Sequence, residues 1–189
     1  MQQRRSDTSL DPLIGLLSLV HSALLLEETL ADMRDAGMGI EDLYRWIEEN
    51  KLRLHHWFFS TDLSFYIKGG RISKTAGRVG TLQNICPLLN MDNEGKLKPR
   101  EKLRGKKKAI QRIVEMMEAH AQGGLAYDGK CYICHSLCEE DAQTVACAVE
   151  ERFPQLHGRV QIYPIGVTIG SHSGPGTLAL FFWGDMRED

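Results

Sequence analysis

Residues 166–177, GVTIGSHSGPGT, hold four glycines, a proline, two serines, two threonines and a histidine in twelve positions. Two apolar runs flank them, 160–163 and 178–183, and both read as strands. Glycines between strands let the backbone approach a ligand or another segment, because no Cβ intervenes. Successive N–H groups in such a turn can form an anion-binding nest. His172, with Gly170, Ser171 and Ser173 around it, puts side-chain donors at the same place. A second candidate is Lys68-Gly-Gly-Arg-Ile-Ser73, where two glycines precede Arg71, whose rigid, always-charged fork suits carboxylate or phosphate. A third is the basic cluster Arg104, Lys106, Lys107 and Lys108. Cations at a helix N-terminus oppose its dipole, so this cluster points to a partner rather than to helix stability. Each candidate has a plain alternative: a structural glycine-rich connection, a solvated arginine, a solvated helix face.

Other chemistries find less support. Cys131-x-x-Cys134-His135-x-x-Cys138 suggests zinc, but strand alternation sends Cys131 and Cys134 to opposite faces. Cys86 and Cys147 fall within a strand and a helix, so the cysteines read as small buried hydrophobes and no metal site is expected. His55 and His56 are adjacent on a strand and cannot ligate one ion together. There is no nucleophile elbow, Walker loop, dinucleotide fingerprint or H-E-x-x-H, which argues against an enzyme and against a cofactor. The formal net charge of −2 gives no global basic field for nucleic acid. Five cysteines, an odd number, and no convincing secretory signal fit reduced thiols in the cytoplasm. The apolar run 12–26 is too short to span a membrane, contains His21, and is bracketed by Asp7, Asp11, Glu27 and Glu28.

The elements that must position these residues alternate. A helix fits 11–36, capped by Asp11 and Pro12 and ended by Gly37, and a second fits 40–49. This pair carries more apolar surface than it can cover itself, like the edge of something larger. A strand at 54–60, short helices at 63–68 and 75–82, and a hairpin of 85–91 with 96–102 follow, with a bulge or edge position expected at Pro87. Then come a helix reaching about 119, a strand at 131–135, a helix at 139–152 stopped by Pro154, and strands at 159–163 and 178–183. The expectation is an α/β fold with a mixed sheet packed with helices, preceded by an apolar helical segment. Length suits one well-buried domain. Arg71 and His172 both fall at loop ends of such a domain, where ligands bind. Beside an apolar volume they describe a receiver for an anion with a hydrophobic tail.

Three segments, Lys68-Gly-Gly-Arg-Ile-Ser73, Lys102-Leu-Arg-Gly-Lys-Lys107 and Ile169-Gly-Ser-His-Ser-Gly-Pro-Gly176, resemble the signature segments of the DegV family, in order. The strand before Glu139-Glu-Asp-Ala142 resembles another, with His135 where the family has a histidine. The resemblance runs from about 37 to 187 and implies a bacterial fatty-acid-binding protein, a non-enzymatic carrier. Such proteins have two α/β lobes and offer the bound acid to a separate kinase that makes acyl phosphate. It implies that Arg71 and His172, with Gly170, Ser171 and Ser173, lie near the carboxylate. Arg104, Lys106, Lys107 and Lys108 would face the catalytic subunit of a fatty acid kinase. It divides the chain into 51–189, the C-terminal lobe, and 1–50, a helical remnant or connector of an N-terminal lobe that the sequence does not match. Two other readings stand beside it: a phosphotransfer protein using His172, and a non-lipid interaction module docking through 104–108.

Overall fold

The computed structural model describes residues 20–69 and 85–188. Strands β1 (Leu54–Ser60, LHHWFFS) and β6 (Thr177–Trp183, TLALFFW) are buried along their whole length. They pair antiparallel without interruption, from Leu54 against Trp183 to Ser60 against Thr177. Runs this apolar have no solvent face, so they must lie inside a sheet covered on both sides.

The sheet around them has the order β3-β2-β1-β6-β4-β5, where β2 is Ile85–Met91, β3 Leu97–Arg104, β4 Cys131–Ser136 and β5 Gln161–Pro164. Only β4 and β5 run parallel, so the sheet is mixed, as the alternation of elements implies. The hairpin between β2 and β3 turns on Asp92, whose Oδ1 accepts the N–H groups of Glu94 (3.0 Å) and Lys96 (2.7 Å). Its register shifts between Leu88 and Leu89, where the partner steps from Glu101 to Pro99. The bulge expected near Pro87 therefore falls one residue further on, and the edge position belongs to β3.

Helices cover both faces. α4 (Lys106–His120) and α5 (Glu139–Arg152) cover one, burying Ala109, Ile113, Val114, Met116 and Met117 from the first and Ala142, Val145, Ala146 and Val149 from the second. α1, described over Val20–Asp35, covers the other and packs on β1, β4 and β6. Leu25 is fully buried there, and Lys130 reaches Glu28 (3.2 Å) and Asp32 (2.8 Å) from the loop before β4. The Tyr132 hydroxyl also donates to Glu28. The first helix thus shares the core of the sheet. It stops at Gly37 (φ 95°), with Gly37 N–H on the Arg34 carbonyl and Met38 N–H on that of Met33. This is the left-handed closure expected of a glycine just past a helix end. α2 (Ile40–Asn50) buries none of its residues and leaves Ile40 and Tyr44 mostly exposed, as the apolar excess of the opening helices foretold. Among the described residues, no helix is long and apolar enough to cross a membrane.

His55 and His56 point to opposite faces, His55 stacking on Phe182 beneath α4 and His56 meeting Phe181 edge-on beneath α1. Burial holds the His56 pKa well below the ordinary value of 6.5, and its Nδ1 has no hydrogen-bond partner among the described residues. The unfolded chain therefore takes up a proton near pH 6.5 that folded His56 refuses. The stability this ring contributes is complete above that pH and is lost as pH falls below it, by up to ~1.4 kcal/mol per pH unit. Urea denaturation at pH 7.5, 6.0 and 5.0 is expected to show falling midpoints. A midpoint independent of pH over that range would contradict the neutral, buried ring.

Candidate functional site

β1 ends at Ser60, β6 begins at Thr177 and β4 ends at Ser136, and Thr177 is the direct partner of both serines. Direct partners on neighbouring strands share a face. Three hydroxyl side chains therefore form a row across one end of the sheet, on the side that α1 covers further along. Two short helices close over this row, α3 (Ser64–Lys68) and α6 (Val167–Ser173). Thr177 Oγ1 lies 2.9 Å from the Ser173 carbonyl, 3.1 Å from Ser60 Oγ and 3.3 Å from the Tyr66 hydroxyl. Ser60 Oγ donates to the Asp62 carbonyl at 3.0 Å. Burial pushes the Tyr66 phenol above its ordinary range, so it remains a neutral donor. This network fixes where the chain leaves β1 and where it enters β6.

Residues 166–177 are not the open loop that their glycines suggest. Val167–Ser173 is a helix, and only Gly174-Pro175-Gly176 turns into β6. Three β-branched residues and a glycine inside one short helix run against propensity, and packing on α3 overrides it. Three glycine N–H groups of the expected nest are also used up. The N–H groups of Gly170, Gly174 and Gly176 go to the carbonyls of Gly166, Gly170 and Ser136, each at 2.8 Å.

Two close approaches bring the motifs together. Gly174 has φ +75°, and a Cβ there would stand 2.4 Å from Phe65 Cδ2, so α3 packs where a side chain would be. A Cβ on Gly69 would stand 2.8 Å from His172 Nδ1. The start of the Lys68-Gly-Gly-Arg segment therefore lies against the His172 ring, while Arg71 itself lies outside the described residues. His172 is half-buried. Ser171 is exposed, and its hydroxyl donates to the Thr168 carbonyl at 2.8 Å. Ser173 is buried, and its Oγ has no hydrogen-bond partner among the described residues. Gly170 faces Ser136, its Cβ position being 3.8 Å from Ser136 Oγ. An orphaned buried hydroxyl costs about 1–3 kcal/mol and calls for an explanation.

The basic cluster stands at the same end of the sheet, toward its β3 edge. Arg104 ends β3, and Lys106, Lys107 and Lys108 form the first turn of α4, all four exposed. Lys106 reaches across to Asp141 on α5 at 2.8 Å, and that hydrogen bond raises its pKa. Part of its charge is thereby balanced within the fold. Cys131 and Cys134 do point to opposite faces, pairing with Phe182 and Ala179, and burial pushes both thiols far above their ordinary range. Neither is a nucleophile or a ligand in that state. Ser60, Ser136, Tyr66 and Thr177 escape sequence reasoning. The only hint is that two apolar strands carry a hydroxyl at one end, Ser60 and Thr177, and the register that aligns them is a tertiary fact.

A family model described as an uncharacterised protein of the DegV family matches residues 18–185. The chain belongs to the DegV family. A DegV domain-containing protein of Clostridium perfringens is 38% identical over 164 residues, covering 87% of this chain and 55% of that protein. Protein DegV of Bacillus subtilis is 32% identical over 148 residues, covering 78% of this chain and 51% of that protein. The chain thus spans about half the length of the curated relatives it matches. Among solved structures, the Fatty Acid Kinase (Fak) B3 protein of Streptococcus pneumoniae, loaded with linoleic acid, is similar with a TM-score of 0.75 and 26% identity, over 85% of this chain and 55% of that one. A fatty acid binding DegV family protein of Streptococcus agalactiae is similar with a TM-score of 0.70 and 26% identity over the same shares. In this DegV chain, Gly174→Ala is expected to lose about 2–4 kcal/mol, from the positive φ and the collision with Phe65 together. Urea denaturation checks it, and a loss under ~0.5 kcal/mol would mean that α3 does not pack there.

Proposed function

We propose that this chain binds a long-chain fatty acid, with the carboxylate beside Arg71 and His172, and presents it to a fatty acid kinase. The observation that carries the reading is the contact of Gly69 with the His172 ring. It sets the segment that leads to Arg71 against the His172 ring at this end of the sheet. A carboxylate leaving water needs charge-assisted donors, and an arginine with a half-buried histidine supplies them. The unpartnered Ser173 hydroxyl offers another donor beside them. Gly170 lines the same turn, and Ser171 sits at the rim with its hydroxyl turned back on the helix. Each buried CH₂ of the tail contributes about 0.8 kcal/mol, so an apolar tunnel dominates affinity while the donors set orientation. The two similar structures named above, one described as fatty acid binding and one loaded with linoleic acid, support the ligand class.

In this reading the protein is a cytoplasmic carrier rather than a catalyst. Its carboxylate oxygen is what a kinase would phosphorylate, and the Fak B3 relative is the support for that partner. Arg104, Lys107 and Lys108, with Lys106 behind them on Asp141, are the cations for an acidic kinase surface. Residues 51–189 are the C-terminal lobe, and 1–50 are a helical remnant or connector of an N-terminal lobe.

Native mass spectrometry of protein purified from cells is expected to reveal a long-chain acid. His172→Ala and Arg71→Ala are each expected to weaken oleate binding about 10-fold or more, the worth of one charge-assisted hydrogen bond. Protein that is free of lipid and ignores both oleate and palmitate would sink the reading. Lys107→Glu with Lys108→Glu should leave oleate affinity unchanged while weakening kinase association, most strongly at low salt. Association that does not respond to this reversal would remove the basic cluster from the docking surface.

A further inference from the structure

At the end of the β1–β6 ladder away from His172, three side chains from distant parts of the chain converge. His55 Nε2, near the start of β1, lies 3.0 Å from Asp185 Oδ1, just beyond β6. His120 Nδ1, from the last residue of α4, lies 3.2 Å from the same oxygen and 3.3 Å from Oδ2. We propose that His55, His120 and Asp185 bind a divalent transition metal ion of the zinc class. This inference stands apart from the fatty-acid reading and uses none of its residues.

Two imidazole nitrogens aimed at one carboxylate oxygen face a common point, which is what a metal requires. The ligating atoms of the three residues all lie within 4.8 Å of one another. Ligands about 2.0–2.2 Å from tetrahedral zinc stand roughly 3.3–3.5 Å apart, close to the spacing found between the rings and the carboxylate. Two imidazoles and a carboxylate are a donor set that zinc accepts. The Asp185 backbone carbonyl, 3.1 Å from His55 Nε2, lies near enough to contribute as well.

The surroundings hold these donors in place. His55 stacks on Phe182 (5.1 Å, 9°) and on His120 (4.9 Å, 23°), and Trp57 stacks on His120 at 5.8 Å. The Asp185 N–H donates to the His120 carbonyl at 3.0 Å, which ties the two rim ligands to each other. Gly184 makes the convergence possible. A Cβ there would stand 2.4 Å from the His120 carbonyl oxygen and 2.9 Å from His55 Nε2. The side chain of His55 is only 4% exposed, that of His120 34% and that of Asp185 58%. One buried anchor and two rim ligands leave an entry path and an open position for water.

Binding needs no large movement. The ion takes the lone pairs of the two facing nitrogens, the ring protons shift to the far nitrogens, and the exposed carboxylate swings back to become the third ligand. The result is a clip joining residues 65 apart on each side, 55 to 120 and 120 to 185. Spacing along the chain sets His55 beside His56 alone, which points to the opposite face. The partners of His55 are brought to it by α4 and by the end of β6.

The test uses the full chain, stripped with EDTA, freed of chelator and titrated with zinc sulfate, and in parallel with cobalt(II). Zinc is expected to bind one per chain and raise the melting temperature by several degrees. Cobalt is expected to give the visible bands of a tetrahedral or five-coordinate N/O site without thiolate charge transfer. His120→Ala with Asp185→Asn should weaken zinc binding about 10-fold or more and abolish the thermal shift. Both side chains are partly exposed, and far-UV circular dichroism checks the fold of the variant. Asp185→Asn alone, which keeps size and shape, is the second variant should the double one not fold. No thermal shift with zinc in the unsubstituted protein would overturn the proposal. So would zinc binding as tight in the variants as in the parent, or thiolate bands in the cobalt spectrum.

Discussion

The pairing of β1 with β6 is the constraint on which the rest of the structure depends. Seven consecutive pairs, from Leu54–Trp183 to Ser60–Thr177, join two strands with no solvent-facing residue. Neither strand can sit at an edge or on a one-sided sheet, because either would leave a full column of aromatic and aliphatic side chains in water. β2 and β4 must therefore flank the pair, and helices must cover both faces. α4 and α5 take one face, and α1 takes the other. The ladder also decides where polar chemistry can occur. Its middle is dry, so hydroxyls and titratable groups gather at its two ends.

At one end, Ser60, Thr177 and Ser136 form the row over which α3 and α6 close. Here missing side chains matter as much as present ones. Gly174 admits Phe65, and Gly69 admits the His172 ring. A methyl group at either position would separate segments that the site needs in contact. The hydrogen bonds of Thr177 with Ser60, Tyr66 and Ser173 then hold the two strand ends in register. The helix α6 presents His172 beside this row.

At the other end the same ladder presents His55 toward Asp185 and His120. The rings stack on Phe182 and Trp57, so the apolar core itself orients the polar donors. The two ends are built from the same two strands, and a change that loosens the ladder would be felt at both.

Much of this was legible in the residues. The runs 54–60, 85–91 and 139–152 coincide with β1, β2 and α5, because continuous apolar stretches and a 3.6-residue apolar stripe are local signals. The glycine and histidine motif at 166–177 lies at the end of the sheet where α3 and α6 meet, and the resemblance to the DegV family matched the family to which the chain belongs. Three things were not legible. The helix α6 forms against its own composition, because contact with α3 outweighs weak intrinsic propensity. The hydroxyl row exists only once β1, β6 and β4 are placed in register, and the β1–β6 register pairs segments more than a hundred residues apart. The cluster at His55 joins three residues that share no motif. Sequence alone determined which stretches must be buried and which could bend, since those depend on neighbours along the chain. Tertiary structure decided which side chains meet, since that depends on how two-sided burial forces distant segments onto one sheet.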